Sequence, residues 1–118
     1  MANPNLNNVA TVYGNTGLLT VSTVTTNVVA NPSASATLYR LTMLSVANIN
    51  TAASAVTVEL NRGGANTTIV KGLPVAANSM SVVLGKDTNI YLLENDAVQL
   101  TASANGYLHA TAVWEQMS

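Results

Sequence analysis

The sequence predicts an all-β protein, a Greek-key or jelly-roll-like β-sandwich of about eight short strands. Three observations lead there. Apolar residues recur at every second position rather than every third or fourth, which is the alternation of half-buried strands. The alternating runs are short and are separated by clusters of Gly, Asn, Asp, Ser and Pro, the residues that turns favour. No window keeps an apolar stripe at helical spacing over three turns, and the abundant Ala stands beside Thr, Val and Asn, which disfavour helix interiors.

Taken in order, residues 18–30 are rich in Thr and Val and read as one long strand or two short ones, ended by Asn31-Pro32-Ser33. Residues 38–49 form a longer strand whose face switches near Met43-Leu44: Tyr39, Leu41 and Met43 share one parity, Leu44 and Val46 the other. A β-bulge accounts for such a switch, because one extra residue inverts the alternation. In residues 55–60, Val56, Val58 and Leu60 alternate with Thr57 and Glu59, and Asn61-Arg62-Gly63-Gly64 makes a glycine turn into a strand at 67–71. Strands at 79–84 and 89–93 are closed by Gly85-Lys86-Asp87 and by Glu94-Asn95-Asp96. Val98, Leu100, Ala102 and Ala104 fall on one face of the next run, and Leu108, Ala110, Ala112 and Trp114 on one face of the last. Asn105-Gly106 joins these two runs, and Asn-Gly is the strongest short signal for a two-residue type I′ hairpin. The predicted core therefore includes Val98, Leu100, Leu108, Ala110, Ala112 and Trp114. The domain plan is an N-terminal arm over residues 1–16 and one sandwich over 17–118, since 118 residues suit a single core.

Composition narrows the function. Charged residues make up 8%, against about 25% in an ordinary globular domain. The polar surface is instead amide and hydroxyl, with 15 Asn, 15 Thr and 9 Ser. The apolar part is Ala, Val and Leu, and Phe is absent. A net charge of −1 with this hydrophobicity argues against disorder. The longest apolar run is Ile90-Tyr91-Leu92-Leu93, too short for a membrane helix, and no membrane association is expected. Neither a basic region nor an apolar core opens the sequence, so no signal peptide is expected and synthesis in a host cytoplasm is. Cysteine is absent, which removes disulfides and thiolate chemistry. The four cations Arg40, Arg62, Lys71 and Lys86 are scattered, whereas nucleic-acid binding needs many phosphates neutralised together; no nucleic-acid partner is expected.

Chemistry finds little to stand on. His109 is the one histidine, on the less apolar side of its strand beside Tyr107 and Thr111, and reads as a solvated strand histidine rather than a catalytic base. A triad needs a carboxylate to hold that base, and Asp87 and Asp96 both fall in turns. Glu59, Asp87, Glu94, Asp96 and Glu115 give no acid–base pair that turn chemistry does not already explain. Glu94-Asn95-Asp96 offers oxygen donors of the kind calcium takes, but no longer ligand loop surrounds it, and a polar turn accounts for the same residues. Gly63-Gly64 opens no helix and has no phosphate-binding lysine at the required offset. The expectation is no catalytic residue, no metal and no cofactor. Sugar binding through exposed aromatics has Tyr13, Tyr39, Tyr91, Tyr107 and Trp114 as candidates, with Trp114 assigned by parity to the core. A surface poor in charge and rich in small hydroxyl and amide residues suits a protein packed against copies of itself or against another protein, because such groups pair without the cost of burying a charge.

Four stretches carry a resemblance: Met1-Ala2-Asn3-Pro4-Asn5 leading to Val12-Tyr13-Gly14-Asn15-Thr16; Leu38-Tyr39-Arg40-Leu41 with Ser45-Val46-Ala47-Asn48 and Val56-Thr57-Val58-Glu59-Leu60; Gly72-Leu73-Pro74-Val75-Ala76-Ala77 with Ser81-Val82-Val83-Leu84; and Ile90-Tyr91-Leu92-Leu93-Glu94-Asn95-Asp96 with Val98-Gln99-Leu100-Thr101-Ala102-Ser103-Ala104. The layout resembles small all-β virion proteins of tailed bacteriophages, in particular an abundant structural protein of contractile-tailed cyanophages. In such sandwiches the acidic turn often reads Gly-Asp; here Asn95 takes the Gly place, and Asn tolerates the left-handed region. The resemblance implies a non-enzymatic virion protein on the head surface, a capsid decoration (cement) protein. Its implied partners are the major capsid protein and copies of itself, with a trimer expected, and its arm residues Asn3, Pro4, Asn5, Leu6, Asn7 and Asn8 would touch a neighbour. The alternative is a tail, neck or fibre component acting as an adhesin or carbohydrate-binding module.

Overall fold

The computed structural model describes residues 11–104 and 106–118. Nine strands make two antiparallel sheets: β1 (Val12–Val21), β2 (Thr26–Ala30), β3 (Leu38–Asn48), β4 (Ser54–Arg62), β5 (Ala65–Val75), β6 (Met80–Leu84), β7 (Ile90–Leu92), β8 (Asp96–Ala102) and β9 (Leu108–Met117). The first sheet, called A below, runs β1-β9-β3-β6 with β7 also paired to β3; the second, B, runs β2-β8-β4-β5. β6 and β7 lie along the same strand and are separated by a 3₁₀ turn at Lys86–Thr88, so they act as one interrupted strand. Counted that way the sandwich has eight strands in the jelly-roll order.

The order has a simple origin. β1 pairs with β9, β2 with β8, β3 with β6 and β7, and β4 with β5. Each pair is disposed symmetrically about Gly63-Gly64, so the chain is one long antiparallel hairpin wrapped into two sheets. Its tip is a two-residue loop with positive φ at both positions, 61° at Gly63 and 93° at Gly64, the backbone that a type I′ turn demands. Asn61 braces it: its Oδ1 accepts from the Gly64 N–H at 3.2 Å, and its Nδ2 donates to Asn66 across the pair.

The hairpin expected at Asn105-Gly106 is not formed. β8 pairs with β2 and β4 in sheet B, and β9 with β1 and β3 in sheet A, so the connection crosses between sheets. Asn105 itself lies outside the described residues, and Gly106 has a φ of 84°. A tight turn signal reports local backbone only; both flanking runs find their partners among distant strands.

The expected bulge in β3 is present. Leu41 pairs with Trp114 and Met43 with Val113, which leaves Thr42 as the extra residue. The Thr42 hydroxyl donates to the Val113 carbonyl at 3.1 Å. Leu41 and Leu44 consequently both enter the core at 0% exposure.

β1 begins at Val12, so residues 12–16, expected as part of the arm, belong to sheet A, and the sandwich starts before residue 17. The ladder extends one residue further, with Thr11 and Ser118 exchanging backbone hydrogen bonds at 3.0–3.1 Å. Asn3, Pro4, Asn5, Leu6, Asn7 and Asn8 lie outside the described residues.

The buried cluster between the sheets consists of Val, Leu and Ala alone, including Val98, Leu100, Leu108, Ala110 and Ala112. Trp114 is half-buried at its margin, stacked on Tyr39 with ring centroids 6.0 Å apart. The ring lies against Gly17, where a side chain would collide with it.

Candidate functional site

Polar side chains close both ends of the sandwich and hold the strands in place. At one end Asn31, 1% exposed, donates from Nδ2 to the carbonyls of Thr37 and Leu92, both at 3.0 Å, and accepts from the Ser35 hydroxyl at 2.6 Å. Glu94 accepts from the Ala36 N–H at 2.7 Å. Asp96, 1% exposed, accepts both arms of the Arg62 guanidinium at 2.9 and 2.7 Å and the Leu93 N–H at 2.8 Å. The hydrogen bonds that Arg62 donates to Asp96 raise the Arg62 pKa above its ordinary value. At the other end Asn48, 2% exposed, donates to the carbonyls of Ala52 and Val75 and accepts from the Asn50 N–H.

This lock explains the turn considered above for calcium. Its carboxylates are directed to backbone amides and to Arg62, and Asn95 between them takes the left-handed conformation, φ 69°. Among the described residues no three His, Asp or Glu side chains converge as a metal site. The remaining acids are dispersed: Glu59 faces Gln99 and Thr68 on sheet B, Asp87 sits in the 3₁₀ turn, and Glu115 lies 3.6 Å from Arg40. His109 is exposed, with Thr20 and Ala47 as its cross-strand neighbours.

The aromatic candidates form no common platform. Tyr39 and Trp114 stack on each other. Of the exposed tyrosines, Tyr13 sits on β1, Tyr91 on β7 at the opposite edge of sheet A, and Tyr107 just ahead of β9 at its far end.

What the fold does assemble is a pair of contrasting outer faces. On sheet A the register brings four cross-strand rows together. Leu18, Thr111, Ser45 and Val82 form one; Thr20, His109, Ala47 and Met80 the next. Thr16, Val113 and Met43 follow, and Gly14, Glu115, Arg40 and Tyr91 complete the face. Arg40 and Glu115 pair within the last row, so the other three carry no Asp, Glu, Lys or Arg. Leu18, Met80 and Val82 stand 77%, 61% and 56% exposed at the two edges, with small residues between them. Sheet B presents Asn27, Gln99, Glu59 and Thr68 in one row and Thr101 beside Thr57 in the next, an amide and hydroxyl face suited to water. Sequence reasoning placed these residues on strands but could not assemble the face, because each row joins strands far apart in the chain.

No family model matches the chain, and no curated protein matches it. Solved structures do. A chain from the acid-stable capsid of Helicobacter pylori bacteriophage KHP30 is similar at a TM-score of 0.55 and 11% identity, over 93% of this chain and 90% of that one. A chain from the Bacillus endospore appendages, described as a family of disulfide-linked pili, is similar at 0.53 and 16% identity, over 92% and 88%. At these identities the likeness is one of fold: a sandwich domain matched over nearly its whole length.

Proposed function

We propose that this chain is a non-enzymatic structural protein of a phage particle, and within that class a capsid decoration protein that docks on the assembled head and stabilises it. The observation that carries the reading is the outer face of sheet A, three of whose rows contain no Asp, Glu, Lys or Arg and a single His109, while exposed Leu18, Met80 and Val82 rim small residues. Exposed apolar surface on an otherwise hydrated domain marks a protein-contact face, and a sheet of small side chains lets a second surface approach closely. Sheet A lies against the major capsid protein, and sheet B, with its amide and hydroxyl side chains, faces solvent. The fold likeness to a phage capsid chain supports the virion setting. The disulfide linkage named for the pilus structure has no counterpart here, because this chain has no cysteine. A protein that binds only the assembled shell stabilises it by mass action.

Counting copies in purified particles tests the proposal. A decoration protein is expected in hundreds of copies, in proportion to the capsid subunits; a handful per particle would overturn the decoration reading and favour a tail or fibre adhesin. Met80→Lys and Val82→Lys are expected to abolish head binding while the free protein stays folded. Deleting residues 1–8 is expected to lower shell stability, and unchanged stability would remove the role of the arm.

A further inference from the structure

We propose that β1 is a self-association edge: it pairs antiparallel with β1 of a second copy about a twofold axis, joining the two A sheets into one. The argument is a comparison of the four sheet edges. An exposed edge strand offers unpaired backbone groups to any other strand, and proteins guard such edges with charge, proline, bulges or brevity. β2 has five residues and a register break between Asn27 and Val29. β5 carries Lys71, Pro74, a left-handed Gly72 and two register breaks against β4. The β6–β7 edge is interrupted by Gly85 and the 3₁₀ turn.

β1 has none of these devices. It is ten residues long, holds an unbroken register against β9 from Val12 to Val21, and contains neither proline nor any ionisable acid or base apart from the Tyr13 phenol. Among the described residues its other edge pairs with no strand. With the other three edges guarded, a head-to-tail contact has no second open edge to use. The remaining solution is β1 against β1, an isologous contact that closes at two copies, where the sequence led to the expectation of a trimer.

The strand suits that pairing. Opposed residues of an antiparallel pair point to the same side of the sheet, so the twofold axis must fall midway between the two copies of one residue. With the axis at Thr16 or Gly17, nearly the whole strand pairs and every residue keeps its face. Leu18, at 77% the most exposed large apolar side chain among the described residues, then lies across from Gly14 or Thr16 of the second copy. No like charges meet. The three rows of sheet A that lack Asp, Glu, Lys and Arg continue across the junction, which doubles the face proposed above for docking; the pairing itself does not depend on that function.

Sedimentation of the full chain from roughly 5 to 500 µM tests it, a range chosen because one strand edge is a small interface and associates weakly. A species of twice the 12.2 kDa monomer mass is expected to grow with concentration. Leu18→Lys, at an exposed site, is expected to weaken the association about tenfold or more. The chain has no cysteine, so single-cysteine variants give a clean second measurement. Thr16→Cys lies opposite its own copy when the axis is at Thr16, and opposite Leu18→Cys of a second copy when the axis is at Gly17; opposed Cα atoms lie about 4.5–5.5 Å apart, so Thr16→Cys, alone or mixed with Leu18→Cys, can form a disulfide. Thr68→Cys, exposed on guarded β5, is the control. Oxidation is expected to cross-link Thr16→Cys and not Thr68→Cys. A wild-type chain that stays monomeric throughout, a dimer unaffected by Leu18→Lys, or equal cross-linking at both positions would overturn the proposal.

Discussion

Of the seven glycines, Gly17 alone has no room for a side chain, and Gly17→Ala should be destabilising even though alanine normally suits a strand better than glycine. A Cβ built there would lie 2.8 Å from Cζ3 and 3.0 Å from Cη2 of Trp114, and 3.3 Å from the Val28 carbonyl oxygen. Non-bonded carbons prefer about 3.5–4.0 Å, so the ring must move by most of an ångström, and moving it disturbs the stack on Tyr39. Overpacking of this kind costs about 1–3 kcal/mol. Against it, alanine restricts the unfolded chain and returns about 0.4–1 kcal/mol. The net expectation is a loss of about 1–2 kcal/mol, or a fall in Tm of about 4–8 °C for a chain of this size. Urea unfolding followed by fluorescence measures it directly, since Trp114 is the sole tryptophan and its emission should change in the folded variant. Gly14→Ala is the internal control: it lies on the same strand with nothing within 4 Å of its added carbon, and should be neutral or slightly stabilising. In a Trp114→Leu background, followed by circular dichroism instead, the Gly17→Ala penalty should largely vanish, because the two sites are coupled by contact. If Gly17→Ala and Gly14→Ala agreed within about 0.5 kcal/mol, the close approach of ring to backbone would be refuted.

Trp114→Ala should cost about 2–4 kcal/mol in urea unfolding followed by circular dichroism, less than a wholly buried tryptophan because the ring is half-exposed. Asn31→Ala leaves the Thr37 and Leu92 carbonyls without their buried donor and should cost about 2–4 kcal/mol; Asn31→Asp should be worse at neutral pH, since it turns a negative charge on the same two oxygens. Gly64→Ala forces alanine to a φ of 93° and should cost about 1–2 kcal/mol, read as a lowered urea midpoint with no change in m-value.

The alternation made the strands legible because each reports its own burial locally. Leu108, Ala110 and Ala112 read as one face and lie in the buried cluster. The inversion near Met43-Leu44 showed the β3 bulge to within a residue or two, because an extra residue leaves a mark in the pattern itself. Pairing was another matter. Asn-Gly and Gly-Gly both permit the left-handed backbone, yet only Gly63-Gly64 makes the two-residue hairpin. The difference lies in where Val98, Leu100, Leu108 and Ala110 find partners, and no residue near position 105 encodes that. The ends of the sandwich were hidden for a related reason. Asn31, Asn48 and Asp96 have the composition of turn residues, and burial to 1–2% comes from chain segments up to 61 residues away.

The candidate face follows from the same topology. Because the long hairpin wraps, sheet A collects β1, β3, β6, β7 and β9, while β2, β4, β5 and β8 go to sheet B. The outward positions of the first group are mostly Thr, Ser, Ala, Val, Met and Leu; those of the second include Asn27, Gln99, Glu59, Thr57 and Thr101. A chain with so few charges cannot use them to mark which side is wet, so amides and hydroxyls take that task on sheet B. Lys71 and Pro74 stand on the edge strand of that sheet, while uncharged β1 borders the apolar one. The least guarded edge thus adjoins the driest face, which is the arrangement expected if sheet A is covered in the assembled state and sheet B is not.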